Sequence, residues 1–112
     1  MDENISRTTV NDNRALIKAL GESDRVIALF YASWCPFCAR FLPVFQKQIA
    51  QTGRQVVLVQ DDQEAMAGTY LVKIYPTVLL FENGAVSKRL DGAPGVGLSE
   101  QQFTEFISQC PL

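Results

Sequence analysis

The sequence predicts an α/β fold: a central mixed sheet of four to five strands, with helices on both faces. Three observations predict it. Residues 26–32 and 56–59 are continuous apolar runs of strand length, as strands buried on both sheet faces are. A stretch of helical periodicity, residues 36–50, lies between them. A strong hairpin signal, Asn83-Gly84, then joins two further strand runs. Strand–helix–strand alternation followed by a hairpin places parallel and antiparallel neighbours in one sheet.

The elements follow in order. Residues 5–10 form a weakly patterned first strand. Residues 11–20 carry Ala15, Leu16, Ala19 and Leu20 at helical spacing, and Gly21 follows as a stop. The strand at 26–32 comes next. In the helix at 36–50, Phe37, Phe41, Leu42, Phe45 and Ile49 recur on one side, which marks Phe41 and Phe45 as core. Pro43 lies inside this helix, removes the hydrogen bond to the carbonyl of Ala39, and is expected to kink it. The strand at 55–60 precedes a weaker short helix at 63–72. Residues 77–81 and 85–90 are the hairpin strands. In the second of them Val86, Lys88 and Leu90 alternate with Ser87 and Arg89. Gly92, Pro94, Gly95 and Gly97 mark an irregular loop. Ser99, with Gln102 three residues on, forms a capping box for a last helix that carries Phe103, Phe106 and Ile107 on one face.

Composition bounds the function. The chain of 112 residues suits one domain, residues 1–112, large enough to bury a core without disulfide staples. Apolar residues at 47% and charged residues at 20% are ordinary globular values and argue against disorder. With 10 basic and 12 acidic side chains and no basic cluster, the chain lacks an electrostatic footprint for nucleic acid. No stretch approaches the roughly 20 apolar residues of a membrane helix. The polar N-terminal residues show no apolar signal-peptide core, so a cytoplasmic protein is expected. The absence of histidine excludes Ser-His-Asp and Cys-His nucleophile pairs and every His-containing zinc site. Three cysteines, Cys35, Cys38 and Cys110, are too few for a secreted disulfide framework.

The segment Trp34-Cys35-Pro36-Phe37-Cys38 carries the chemistry. It follows a buried strand, opens a helix, and places proline at the first helical position. Cys35 then sits at the N-cap, where free backbone N–H groups and the helix dipole favour a thiolate. Cys38 lies on the same helix face, with Cβ atoms about 5–6 Å apart at that spacing. A disulfide needs about 3.5–4.5 Å, so a modest tightening of the first turn closes the bond. Cys35 is the expected nucleophile and Cys38 the resolving thiol. Trp34 shields the pair on one side. The competing readings are an inert buried pair or half a zinc site, for which only Cys110 is left to add a third ligand. Cys110 itself, at the end of the last helix, reads as a non-catalytic thiol. Phe37 lies between the cysteines and reads as part of a flat apolar docking surface with Trp34 and Tyr75.

These residues resemble the thioredoxin family. Phe30-Tyr31-Ala32-Ser33-Trp34-Cys35 is similar to its strand-to-dithiol signature, and Pro43 to its helix proline. Tyr75-Pro76-Thr77 resembles its cis-proline motif, Glu82-Asn83-Gly84 its hairpin turn, and Asp91-Gly92-Ala93 the glycine segment near the dithiol. The resemblance spans about residues 20–110. It implies a thioredoxin fold and a redox-active dithiol needing no further cofactor or metal. It implies a protein-disulfide reductase, in cell redox homeostasis and electron transport, with a thioredoxin reductase as donor. Disulfide-containing proteins are the implied substrates, and a monomer is expected. The implied substrate-binding residues are Trp34, Pro36, Phe37, Tyr75, Pro76, Gly92 and Ala93. Pro76 faces the dithiol in that family, which leaves the Tyr75 backbone to pair with an extended substrate. Taken alone, Pro76 would read as a turn proline at a strand start.

Two departures set the chain apart from the common pattern of the family it resembles. Cys-Pro-Phe-Cys replaces the usual Cys-Gly-Pro-Cys and resembles the glutaredoxin pair. A potential less reducing than the roughly −270 mV of thioredoxin is therefore expected. Leu29 stands where the family places a buried carboxylate, and Leu58 near where its lysine partner lies. Either an apolar pair simply packs better than a buried ion pair, or Cys38 has lost its internal base. Asp61 and Asp62 read as solvated strand-end acids, the alternative being that they replace that base. The alternative functions are a glutaredoxin-like, glutathione-dependent thiol transferase and a non-catalytic thioredoxin-fold interaction module. The transferase reading lacks the Gly-Gly element of glutaredoxins, since Ala93 follows Gly92.

Overall fold

A computed structural model describes residues 7–110. The elements run β1 (Arg7–Val10), α1 (Asn13–Leu20), β2 (Arg25–Tyr31), α2 (Pro36–Thr52), β3 (Val56–Gln60), β4 (Thr77–Glu82), β5 (Ala85–Asp91) and α3 (Glu100–Gln109). The strands form one mixed sheet in the order β1-β3-β2-β4-β5. β3 runs parallel to both β1 and β2, while β4 is antiparallel to β2 and β5.

Alternation along the central strands divides the interior in two. Val26, Ala28 and Phe30 of β2 join Val57, Val59, Leu79 and Phe81 in a core closed by Leu16 and Leu20 of α1. Their neighbours Ile27 and Leu29 join Val56, Leu58, Val78 and Leu80 on the other face, under α2 and α3. There Phe41, Phe45 and Phe103 meet with ring centroids 5.1–6.2 Å apart. The central strands read as unbroken apolar runs because both of their faces are covered.

The helix ends obey local rules. Asp12 caps α1 through Ala15 N–H, and Gly53 ends α2 in the left-handed region at φ 68°. Ser99 and Gln102 form the expected capping box on α3. α2 continues through Pro43 for 17 residues.

One expectation needs correction. The short helix at 63–72 is absent, and irregular turns replace it. Glu64 turns left-handed at φ 58°, and the Asp61 carboxylate takes the Met66 N–H at 3.1 Å. The chain ends this stretch at Leu71, also left-handed at φ 57°, whose carbonyl accepts from Arg89 at 2.7 Å. β5 forms as the expected partner strand and stays largely exposed, Val86 at 40%. β5 is an edge strand, and a register shift opposite Leu80 and Phe81 disrupts its ladder. Of the first strand expected at 5–10, Arg7–Val10 forms β1, and residues 5 and 6 lie outside the described residues.

Candidate dithiol site

The site lies where β2 ends and α2 begins. Cys35 is extended at φ −95° and ψ 114°, caps α2, and accepts the Cys38 N–H on its sulfur at 3.3 Å. Pro36 occupies the first helical position, where its missing N–H costs nothing. The Cys35 thiol points across to the next loop and donates to the Tyr75 carbonyl at 3.7 Å. Both cysteines are buried and unpaired. Burial first, and then the hydrogen bond with Cys35, push the Cys38 thiol up to about 12. Cys38 is therefore a protonated thiol across the physiological range.

Tyr75 and Pro76 form the facing wall, joined by a cis peptide bond. Thr77 then donates to the Ile74 carbonyl at 2.7 Å and turns the chain into β4. Gly92 packs behind Pro76: a Cβ there would lie 2.5 Å from the Pro76 carbonyl oxygen, so no side chain fits. Ala93 is bridged to Gly97 by paired backbone hydrogen bonds of 3.1 and 2.9 Å. Gly97, at φ 83°, lies against Phe37 closely enough that a Cβ would approach its ring carbons at 3.3 Å. Arg40 covers the same ring at 5.4 Å. Phe37 is accordingly half-buried.

Of the expected docking surface, Trp34 remains open at 56% exposure, but Tyr75 does not, at 7%. The Tyr75 ring is turned inward, edge-on to Trp34 at 6.0 Å, because its hydroxyl donates to the buried Asp61 carboxylate at 2.7 Å. Burial and then that hydrogen bond raise the Tyr75 phenol far above its ordinary value, so it stays a neutral donor. Asp61 is only 2% exposed, which corrects its reading as a solvated acid. Asp62 is half-buried and braces the dithiol loop. It accepts the Ser33 N–H and hydroxyl, both at 2.7 Å, while its carbonyl accepts the Trp34 indole N–H at 2.9 Å. The Ser33 N–H, more than its hydroxyl, lowers the Asp62 carboxyl.

Leu29 lies in the core under α2, whereas the dithiol packs into the core on the α1 face. Cys110 also lies under α2 and α3, so it does not join the dithiol as a third ligand. Among the described residues no group of three His, Cys, Asp or Glu side chains stands close enough to hold a metal ion. No described helix is long and apolar enough to cross a membrane.

Sequence reasoning missed several members of the site. A groove beside Cys35 is lined by Glu64, Lys73 and Ile74 as well as Trp34, Pro36, Phe37 and Tyr75. Proximity to Pro76 in the chain is the signal that could have found Lys73 and Ile74, and nothing in the sequence marks Glu64. Gly97 carried a signal only as a loop glycine.

Known proteins give the same picture. A family model described as Thioredoxin matches residues 5–109. A thioredoxin of Mycolicibacterium smegmatis is 33% identical over 100 residues, covering 85% of this chain and 89% of that protein. Protein disulfide-isomerase A5 of Bos taurus is 37% identical over 78 residues, 65% of this chain but 15% of that protein. Among solved structures, a thioredoxin variant from Halobacterium salinarum superposes with a TM-score of 0.78 at 28% identity, covering 96% of this chain and 93% of that one. A cap-position dithiol facing a cis-proline, on this sheet and with these relatives, identifies the chain as a member of the thioredoxin family of thiol–disulfide oxidoreductases.

Proposed function

We propose that the chain reduces protein disulfides by dithiol exchange through Cys35 and Cys38. One observation carries this reading: the Cys35 sulfur stands at the start of α2, facing the Tyr75 carbonyl, with Cys38 buried one turn behind it. Cys35, as thiolate, attacks one sulfur of a substrate disulfide. The substrate S–S bond breaks and one thiolate leaves. Cys38 then gives up its proton and attacks the Cys35 sulfur, which releases the second substrate thiolate. Two electrons pass to the substrate, its thiolates take up two protons, and Cys35–Cys38 becomes the disulfide. The dithiol is the only redox group this reaction needs.

The substrate chain lies along Trp34, Pro36 and Phe37 on one side and Tyr75 and Pro76 on the other. The Tyr75 N–H, outside β4 and without a hydrogen-bond partner among the described residues, is available for strand-like pairing. Gly92 and Ala93 support that wall from behind. A thioredoxin reductase is the electron donor that suits a monomer working in the cytoplasm. Cys-Pro-Phe-Cys sets a potential less reducing than that of thioredoxin.

Insulin reduction driven by NADPH and thioredoxin reductase, run beside the same assay driven by glutathione, tests this reading. Activity with the reductase system supports it. Activity with glutathione alone would instead assign a thiol transferase, and inactivity with either donor an interaction module.

A further inference from the structure

We propose that Asp61 is a positioning residue for the dithiol site, holding Tyr75 and through it the wall against which a substrate chain is laid. This role rests on the function proposed above. A carboxylate at 2% exposure is costly unless its oxygens are hydrogen-bonded. The Asp61 carboxylate has two partners, and the longer contact of the Tyr75 hydroxyl, 3.3 Å, goes to the Asp61 carbonyl. The carboxylate oxygens take the Met66 N–H, each at 3.1 Å, and Oδ2 takes the Tyr75 hydroxyl at 2.7 Å. The first partner shapes the turns after β3. The second reaches the site, because the same Tyr75 offers its carbonyl to Cys35 at 3.7 Å and its ring edge to Trp34 at 6.0 Å.

The opposite wall is held from the neighbouring residue. Asp62 fixes Ser33 and, through its carbonyl, Trp34. Successive side chains leaving a strand point in opposite directions. Two consecutive acids at the end of β3 therefore reach two different loops, one buried and one at the surface. The spacing of the groove between Trp34 and Tyr75 is set from this one point of the backbone. Asp61 touches no reacting atom. Its loss lets Tyr75 shift relative to Cys35, and this weakens docking of an extended chain before it slows the exchange itself.

The test is a split between KM and kcat for a peptide disulfide. Asp61→Leu raises KM about tenfold, on the scale of one hydrogen bond to a charged group, with a much smaller change in kcat. Asp61→Asn, which keeps an acceptor for the Tyr75 hydroxyl, brings KM back to within about twofold of the parent. Should Asp61→Leu fail to fold, Tyr75→Phe removes only the donor and gives the same split. A parental KM in Tyr75→Phe and in any folded Asp61→Leu would overturn the assignment, as would a fall in kcat with KM unmoved. Near-UV circular dichroism separates this failure from a failure of the proposed function. It reads the Tyr75 and Trp34 rings whatever the activity, and Asp61→Leu changes that signal while the far-UV spectrum stays parental. An unchanged near-UV spectrum would show that Asp61 does not hold the ring.

Discussion

Helices α2 and α3 begin with the same hydrogen bond made by different atoms. In α3 the Ser99 hydroxyl accepts the N–H of Gln102 at 3.1 Å, and the Gln102 side chain returns the bond to the Ser99 N–H at 2.9 Å. In α2 the Cys35 sulfur accepts the N–H of Cys38 at 3.3 Å, with no return bond, since position N3 is itself a cysteine. Ser99 is exposed and Cys35 is buried beneath a facing carbonyl. One cap satisfies a helix end and contributes stability. The other holds a nucleophile in the field of a helix N-terminus. Position in the helix is shared; surroundings decide what the cap is for.

The comparison breaks most sharply at Cys35. Cys35→Ser turns the sulfur cap into an oxygen cap like that of α3. Activity falls on the order of 10³-fold or more, because the nucleophile is gone, while thermal unfolding shows stability kept. A Cys35→Ser chain that still reduced insulin would remove Cys35 from the mechanism.

The second expected effect concerns Cys38. Its thiol, pushed up to about 12 chiefly by burial, ionises more as pH rises. In the mixed disulfide Cys35 carries no free thiol, yet burial persists. Resolution therefore accelerates about tenfold per pH unit from neutrality upward. Stopped-flow measurement of mixed-disulfide decay between pH 7 and pH 10 checks the slope; a flat profile would mean that Cys38 is deprotonated by an internal base.

Leu29→Asp sharpens the same point. A carboxylate there costs about 3 kcal/mol of stability, because Leu29 is 1% exposed in the core under α2, and it leaves resolution at pH 7 within about twofold of the parent, because that core is not the one in which Cys38 packs. Quench-flow kinetics beside urea unfolding separates the two effects, and a resolving rate raised about tenfold would show that a carboxylate at position 29 reaches Cys38 as a base.

The smallest effect belongs to the other cap. Ser99→Ala costs about 1 kcal/mol, a fall in Tm of about 4 °C, with insulin reduction unaltered. Differential scanning calorimetry reads the shift. A loss of activity in Ser99→Ala would show that α3 communicates with the site.

Much of this molecule was legible before folding was considered. The apolar runs of β2, β3 and β4, the caps of α2 and α3, and the turn at Asn83-Gly84 are local signals, and each is where it was expected. The turns at 63–72 were not, because a helical pattern there loses to a contact from outside it: Asp61 captures the Met66 N–H. The inward Tyr75 ring was illegible for the same reason, since the partner of its hydroxyl is 14 residues away. Edge exposure of β5 depends on strand order, which alternation does not encode.

By itself, then, the sequence determined the elements, the order in which they follow, and a thiol pair at the mouth of a helix. These depend on neighbours within a few residues, where periodicity and capping act. The tertiary structure alone decided that Asp61 is buried while Asp62 reaches the surface, that Gly92 and Gly97 seat Pro76 and Phe37, and that Leu29 and the dithiol belong to different cores. Those facts depend on which side of the sheet a side chain leaves and on what a distant loop brings to meet it.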